Sequence, residues 1–132
     1  MSLDPARSLA RVMGGMGTLH FLAPAPFDAI VPRGLPGPAR AYTYASGAAE
    51  LVVAAALASP RTRRAGGLAA AALIAAVFPA NVQMAYDWRN RSTPLKAIAY
   101  GRLPLQIPLA AWALLAARQG TKQNRPAPEA AA

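Results

Sequence analysis

The chain has 132 residues, a length that suits a single domain. It is 55% hydrophobic and only 14% charged, whereas soluble domains carry about a quarter charged residues. Fourteen Lys and Arg against five Asp and Glu give a net charge of +9, and the absence of cysteine excludes disulfides, thiolate metal sites and dithiol relays. No Lys/Arg run is interleaved with aromatics, so nucleic acid is not the partner that this charge implies. The basic residues sit at segment ends instead, where loop charges orient a membrane protein and meet anionic headgroups.

The apolar residues fall into four stretches. The first runs from about Ala6 to Ala23. Asp4-Pro5 opens it, because Asp caps a helix and Pro tolerates its first position. Arg7 and Arg11 lie one turn apart and can snorkel to the near surface. Gly14, Gly15 and Gly17, with Met13 and Met16, form a slim face suited to close packing. A cleavable signal peptide is a rival reading, given the basic start and the Ala-Pro-Ala at 23–25. The glycines, His20 and the crowding prolines argue against it.

Residues 24–40 hold Pro24, Pro26, Pro32, Pro36 and Pro38, and so cannot form one helix. They read as a structured loop, with a short helical turn at Phe27–Val31 and with Phe27, Ile30, Val31 and Leu35 apolar enough to lie at the interface or to cap the bundle. The second stretch runs from about Ala41 to Ala58 and ends at Ser59-Pro60. A short basic link, Arg61–Arg64, leads to the third, from Gly66 to about Tyr86, with Pro79 inside it. A polar link from Asp87 to Lys96 precedes the fourth, from about Ala97 to Ala117, which contains Pro104 and Pro108. Prolines are tolerated in membrane helices because neighbouring groups satisfy the freed carbonyls. The polar residues from Gln119 onward read as a disordered tail. The expected organisation is a four-helix transmembrane domain over 1–118 and a cytoplasmic tail over 119–132.

Each stretch has about 18–21 residues, or roughly 27–32 Å of helix against a hydrocarbon core of about 30 Å. The expected fold class is therefore all-α, an integral membrane four-helix bundle. An alanine-rich soluble bundle is the competing reading. It fits less well, because charges are missing from whole helix lengths rather than from one face. Four crossings place both termini on one side. That side holds Arg7, Arg11, Arg61, Arg63, Arg64, Arg118, Lys122 and Arg125, and the other holds Arg33, Arg40, Arg89, Arg91 and Lys96. The bias predicts both termini in the cytoplasm of a bacterial inner membrane. Tyr42, Tyr44, Tyr86, Trp88 and Trp112 read as interfacial anchors or packing, and Gln83 and Asp87 as rim residues.

The polar residues inside the stretches share one depth. His20, Glu50, Asn81, Arg102 and Gln106 all fall between the midplane and the outer boundary when counted at about 1.5 Å per residue. Charged groups in hydrocarbon are costly and turn inward to partners. The spacing predicts one cluster with a Glu50–Arg102 ion pair at its centre. Arg102 and Gln106 are expected on one face, a helical turn apart. Such a pair either fixes helix register or lines a cavity for a ligand or a proton, with His20 and Glu50 as the titratable groups. A metal is not expected, since there is one histidine and no cysteine. No phosphate loop, no nucleophile with a paired base and no second carboxylate in the stretches points to catalysis.

Four motifs occur in order: Gly17-Thr-Leu-His20-Phe21 before the Pro-rich loop, Ser46-Gly47-Ala-Ala-Glu50-Leu51, Val77-Phe78-Pro79-Ala80-Asn81, and Arg102-Leu103-Pro104-Leu105-Gln106. With them, residues 10–117 resemble the DoxX-like family of small bacterial membrane proteins. The resemblance implies a four-helix membrane bundle. Some DoxX relatives are membrane subunits of thiosulfate:quinone oxidoreductases, others associate with redox enzymes, and many have no assigned activity. The branch with the RLPLQ helix belongs to the last group. The expectation is a non-enzymatic accessory or anchoring subunit in the lipid bilayer, beside a membrane or peripheral oxidoreductase. Its polar cluster would hold a small amphipathic ligand. The alternatives are a quinone-linked redox subunit, with quinone as cofactor, and a small-solute carrier that would need a homo-oligomer.

Overall fold

Asp4 begins the first helix in the manner its position predicts. Its Oδ1 accepts from the backbone N–H of Ala6 at 3.0 Å and of Arg7 at 3.4 Å, and Pro5 occupies the first turn. From there the computed structural model, which describes residues 4–126, contains helices and no strands among those residues. The helices are α1 (Pro5–Leu22), α2 (Ala25–Asp28), α3 (Ala39–Ala58), α4 (Arg63–Asp87) and α5 (Thr93–Gln123). The four long ones match the four apolar stretches. The short α2, continued by turn hydrogen bonds to Val31, occupies the position expected for a turn in the Pro-rich loop.

The long helices pack as two hairpins, α1 against α3 and α4 against α5. The hairpins join through α3–α4 and α1–α5, which leaves α1–α4 and α3–α5 as diagonals. Glycine sets the closest approaches. A Cβ on Gly47 would lie 2.6 Å from His20 Cβ, and one on Gly17 would lie 2.9 Å from the Gly47 carbonyl. A Cβ on Gly67 would lie 2.5 Å from the backbone nitrogen of Ala117. Small residues at these crossings let backbones meet, and the contact surface follows.

The end of the bundle that carries both termini is filled. Leu9 and Met13 of α1, Val53 and Leu57 of α3, Ala70 of α4 and Ala113 of α5 form a continuous core there. Arg63 ties this end together and is only 2% exposed. Its Nε donates to the Leu57 carbonyl at 3.2 Å and its Nη1 to Gln123 Oε1 at 3.0 Å, while Asp4 Oδ2 lies 3.4 Å from Nη1. Trp112 Nε1 donates to the Pro5 carbonyl at 2.9 Å. These contacts carry α5 beyond its expected end at Ala117. Residues 119–123, expected in the disordered tail, are helical because Gly120 seats on the backbone of Arg63 and Arg64 and Gln123 has a buried partner. Residues 127–132 of that tail lie outside the described residues.

Pro79, Pro104 and Pro108 lie inside unbroken helices. Each removes an N–H, so the carbonyls of Ala75, Tyr100 and Pro104 lose their usual donor.

Many large apolar side chains are exposed, and a few polar ones are buried. Leu22 is 76% exposed, Val52 69% and Ile107 75%, whereas His20, Thr43, Asn81 and Gln106 are buried. Two helices, α3 with a mean hydropathy of 1.2 and α4 with 1.8, are long and apolar enough to cross a membrane. Among the described residues α1 and α5 do not reach the same apolarity. Arg7, Arg11 and three glycines dilute α1, and Arg102, Gln106 and two prolines dilute the apolar stretch of α5.

Candidate functional site

Away from the filled end, a partly open cavity of about 280 Å³ lies between the two hairpins. All four long helices and the α1–α3 loop line it. Its polar wall is His20 from α1, Ser46 and Glu50 from α3, Asn81 from α4 and Arg102 from α5. Met16, Val77 and Ala80 add apolar surface, and Phe27, Ile30 and Val31 close it from the loop.

The loop is held down as a lid. The Phe27 ring stacks on the His20 ring, with centroids 3.8 Å apart. Asp28, next in the chain, is the latch. Its Oδ1 accepts from Thr43 Oγ1 at 2.6 Å and its Oδ2 from Arg40 Nε at 2.8 Å. Both partners lie in the first turns of α3. Tyr42 Oη donates to the Pro36 carbonyl at 2.5 Å and pins the far side of the loop. The Thr43 hydroxyl, and then the Arg40 guanidinium, hold the Asp28 carboxyl below the usual carboxylate range.

Inside, the groups are arranged with few internal partners. His20 Nδ1 donates to the Met16 carbonyl at 2.7 Å, one turn back, since a carbonyl oxygen can only accept. Glu50 Oε2 lies 3.4 Å from that same nitrogen but receives no hydrogen bond from it or from any other group among the described residues, although it is buried. The Nδ1–H is already directed at Met16. Asn81 and Arg102 make no side-chain hydrogen bond among the described residues, and both face the cavity.

Four of the five residues expected at one depth therefore share one cavity. Two expectations about them need correction. Glu50 and Arg102 form no ion pair; Glu50 lies against His20 instead. The reason is the Gly17–Gly47 contact, which brings α1 and α3 close enough to place His20 beside Glu50. Arg102 stands on α5, diagonal to α3 across the cavity. Gln106 is the second. A separation of four residues rotates a side chain by about 40° around a helix. That turns Gln106 into the α4–α5 seam, where its Nε2 approaches the Ile74 carbonyl at 3.4 Å and its Oε1 is buried without a partner. It lines a separate, apolar groove with Phe78 and Ile107.

Two contributors, Asp28 and Thr43, were not singled out by sequence reasoning, and nothing in the spacing of Phe27, read there as an interfacial or capping residue, pointed to His20. Asp28 and Thr43 form a latch across fifteen residues of chain. The two acidic or hydroxyl residues flanking a Pro-rich loop were the available signal. Gln83 and Asp87 do pair at the rim, with Nε2 to Oδ1 at 2.9 Å. Two further pockets of about 340 and 300 Å³ lie outside the lid, around Trp88, Arg33 and Arg91. They are separate from the polar wall.

Chemically, the cavity can bind. It offers a carboxylate, a guanidinium, an amide and an imidazole to a guest, with an apolar wall beside them. No three His, Cys, Asp or Glu side chains converge on a metal position among the described residues.

The fold and site define an all-helical protein with a lidded, polar cavity between two helical hairpins. The chain belongs to the family described as a domain of unknown function, DUF8561, whose sequence profile matches residues 9–117. That range includes every residue lining the cavity. No curated protein and no solved structure matches the chain.

Proposed function

We propose that this protein is an integral membrane four-helix bundle of the DoxX-like type that binds a small amphipathic molecule in its lidded cavity. In this reading it crosses the bacterial inner membrane four times with both termini in the cytoplasm. It serves as a non-enzymatic accessory or anchoring subunit, without chemistry of its own. The observation that carries the reading is the inverted distribution of polarity: apolar side chains outward on all four long helices, and His20, Glu50, Asn81 and Arg102 around a central cavity. A soluble bundle would place these the other way round. The lid lies at the end of the bundle opposite the termini, so in this orientation it faces the outer aqueous phase.

Two measurements test the proposal. Charge-reporter fusions at Arg64 and Arg91 should place the first in the cytoplasm and the second outside; the reverse result overturns the topology. Native mass spectrometry of the protein released from lipid should show a bound small molecule that Glu50→Gln or Arg102→Gln removes while Gln106→Leu leaves it. Persistent binding in both cavity variants would remove the cavity from the argument.

The quinone-linked alternative rests on one contact, His20 Nδ1 against Glu50 Oε2 at 3.4 Å, a pair able to pass a proton to or from a bound guest. Extraction of quinone from the purified protein, lost in His20→Ala, would favour it.

A further inference from the structure

Resting on that reading, we infer that the guest of the cavity is a small zwitterion that carries a carboxylate and a protonated amine close together on a short apolar body. The cavity presents two charges of opposite sign that do not satisfy each other. Glu50 stands on α3 and Arg102 on α5, the diagonal pair of the bundle, and no salt bridge joins them. The buried Oε2 of Glu50 receives no hydrogen bond. His20 does not fill that place, because its Nδ1–H is directed at the Met16 carbonyl. Arg102, half-buried on the opposite wall, has no carboxylate partner within ion-pair distance and no hydrogen-bond acceptor among the described residues.

A carboxylate oxygen held away from water, as Glu50 Oε2 is, needs a partner of opposite sign together with hydrogen bonds, and the half-buried Arg102 has its fork free for an acceptor. A guest with one charge satisfies one wall and leaves the other unpaired. A neutral apolar guest leaves both. A zwitterion satisfies both at once, its amine donating to Glu50 and its carboxylate accepting from the fork of Arg102. Asn81 stands on α4, the helix packed against α5, and adds an amide to the carboxylate side.

Size and access agree with that chemistry. The cavity, about 280 Å³, exceeds the ~150 Å³ that accommodates benzene and falls just short of the ~300 Å³ at which drug-sized sites begin. Met16, Phe27 and Val77 offer an apolar wall for a short side chain. The cover over the cavity is a polar-latched loop at a helix end, held by Asp28, Arg40 and Thr43. This is a route for a guest arriving from water.

The test uses the full chain in lipid nanodiscs with glycine, leucine and phenylalanine as probes. 4-Methylpentanoate and 3-methylbutylamine serve as the single-charge counterparts of leucine. Isothermal titration on the unmodified protein should show at least one amino acid binding tenfold or more tightly than either single-charge molecule. Because the chain has no cysteine, Ser46→Cys supplies a unique thiol on the cavity wall. The preferred amino acid should slow its maleimide labelling at least fivefold. Glu50→Gln should raise the relative affinity for 4-methylpentanoate, and Arg102→Gln that for 3-methylbutylamine. Equal or tighter binding of a single-charge molecule to the unmodified protein overturns the inference. So does protection of the thiol by decylubiquinone with none from the three amino acids, an outcome that leaves the cavity reading standing. If none of the probes slows labelling, the binding reading falls as well.

Discussion

Replacing Gly47 by alanine tests the contact that builds the site. The new methyl carbon would lie 2.6 Å from His20 Cβ, 3.0 Å from Phe21 Cε2 and 3.1 Å from the Gly17 carbonyl oxygen. Carbon atoms pack at about 3.5–4.0 Å, so α1 and α3 must part by about 1 Å at this point. His20 Cβ and the Gly17 carbonyl are part of or next to the backbone, and no rotamer change clears them. Overpacking of this kind costs about 1–3 kcal/mol. Alanine also favours the helical state over glycine by roughly 1 kcal/mol, which partly masks the clash. Gly15→Ala supplies the correction, because a Cβ at Gly15 meets nothing within 4 Å. The difference between the two variants isolates the packing term. At 1.36 kcal/mol per factor of ten, it corresponds to a roughly 5- to 160-fold change in the folding equilibrium. Reversible unfolding in mixed micelles, followed by the fluorescence of Trp88 and Trp112, measures it. Agreement between the two variants within about 0.5 kcal/mol would refute the close α1–α3 crossing, and with it the placement of His20 beside Glu50.

Three further outcomes are expected. Arg63→Ala removes the shared partner of Asp4, Leu57 and Gln123 from a nearly inaccessible position and should destabilise the bundle by about 3 kcal/mol or more in the same unfolding assay. Trp112→Phe keeps an aromatic ring but loses the pyrrole half of the indole with its 2.9 Å bond to the Pro5 carbonyl, for a cost of about 1 kcal/mol or more. The lid latch should depend on pH: the Asp28 carboxyl is held below its ordinary range by Thr43 and Arg40, so its contribution is complete above the ordinary carboxylate pKa and is lost as pH falls through the depressed value. Hydrogen-exchange protection of residues 25–31, taken relative to the unstructured rate at each pH, should therefore fall in acid and, at neutral pH, in Asp28→Asn; equal protection in both proteins at neutral pH would remove the latch from the account.

The helices were legible in the chain for a local reason. Asp4-Pro5, Ser59-Pro60 and the prolines between 24 and 38 are signals that act within a turn, and the long apolar runs leave little choice of conformation. The depth of the polar residues could also be counted, since rise per residue is nearly constant along a helix. Azimuth was harder. Gln106 and Arg102 differ by only about 40° around α5. Yet that rotation separates a cavity from a seam, and it is decided by how α4 sits against α5. The role of Arg63 was hidden for a different reason. In Arg61-Thr-Arg-Arg64 the arginines look alike in composition, and only the arrival of Asp4, Leu57 and Gln123 at one place makes Arg63 the buried one.

By itself, the sequence determined the all-helical class, the four long helices, the broken loop between the first two, and the set of polar residues carried at one level. These follow from propensity, capping and periodicity, which are properties of neighbours along the chain. The tertiary structure decided which polar residues meet. It set His20 against Glu50 and left Arg102 across a cavity, because two glycines draw α1 onto α3 while α3 and α5 stand on a diagonal. Whether opposite charges form a pair or two walls of a site depends on interhelical distances, and packing between helices sets those distances.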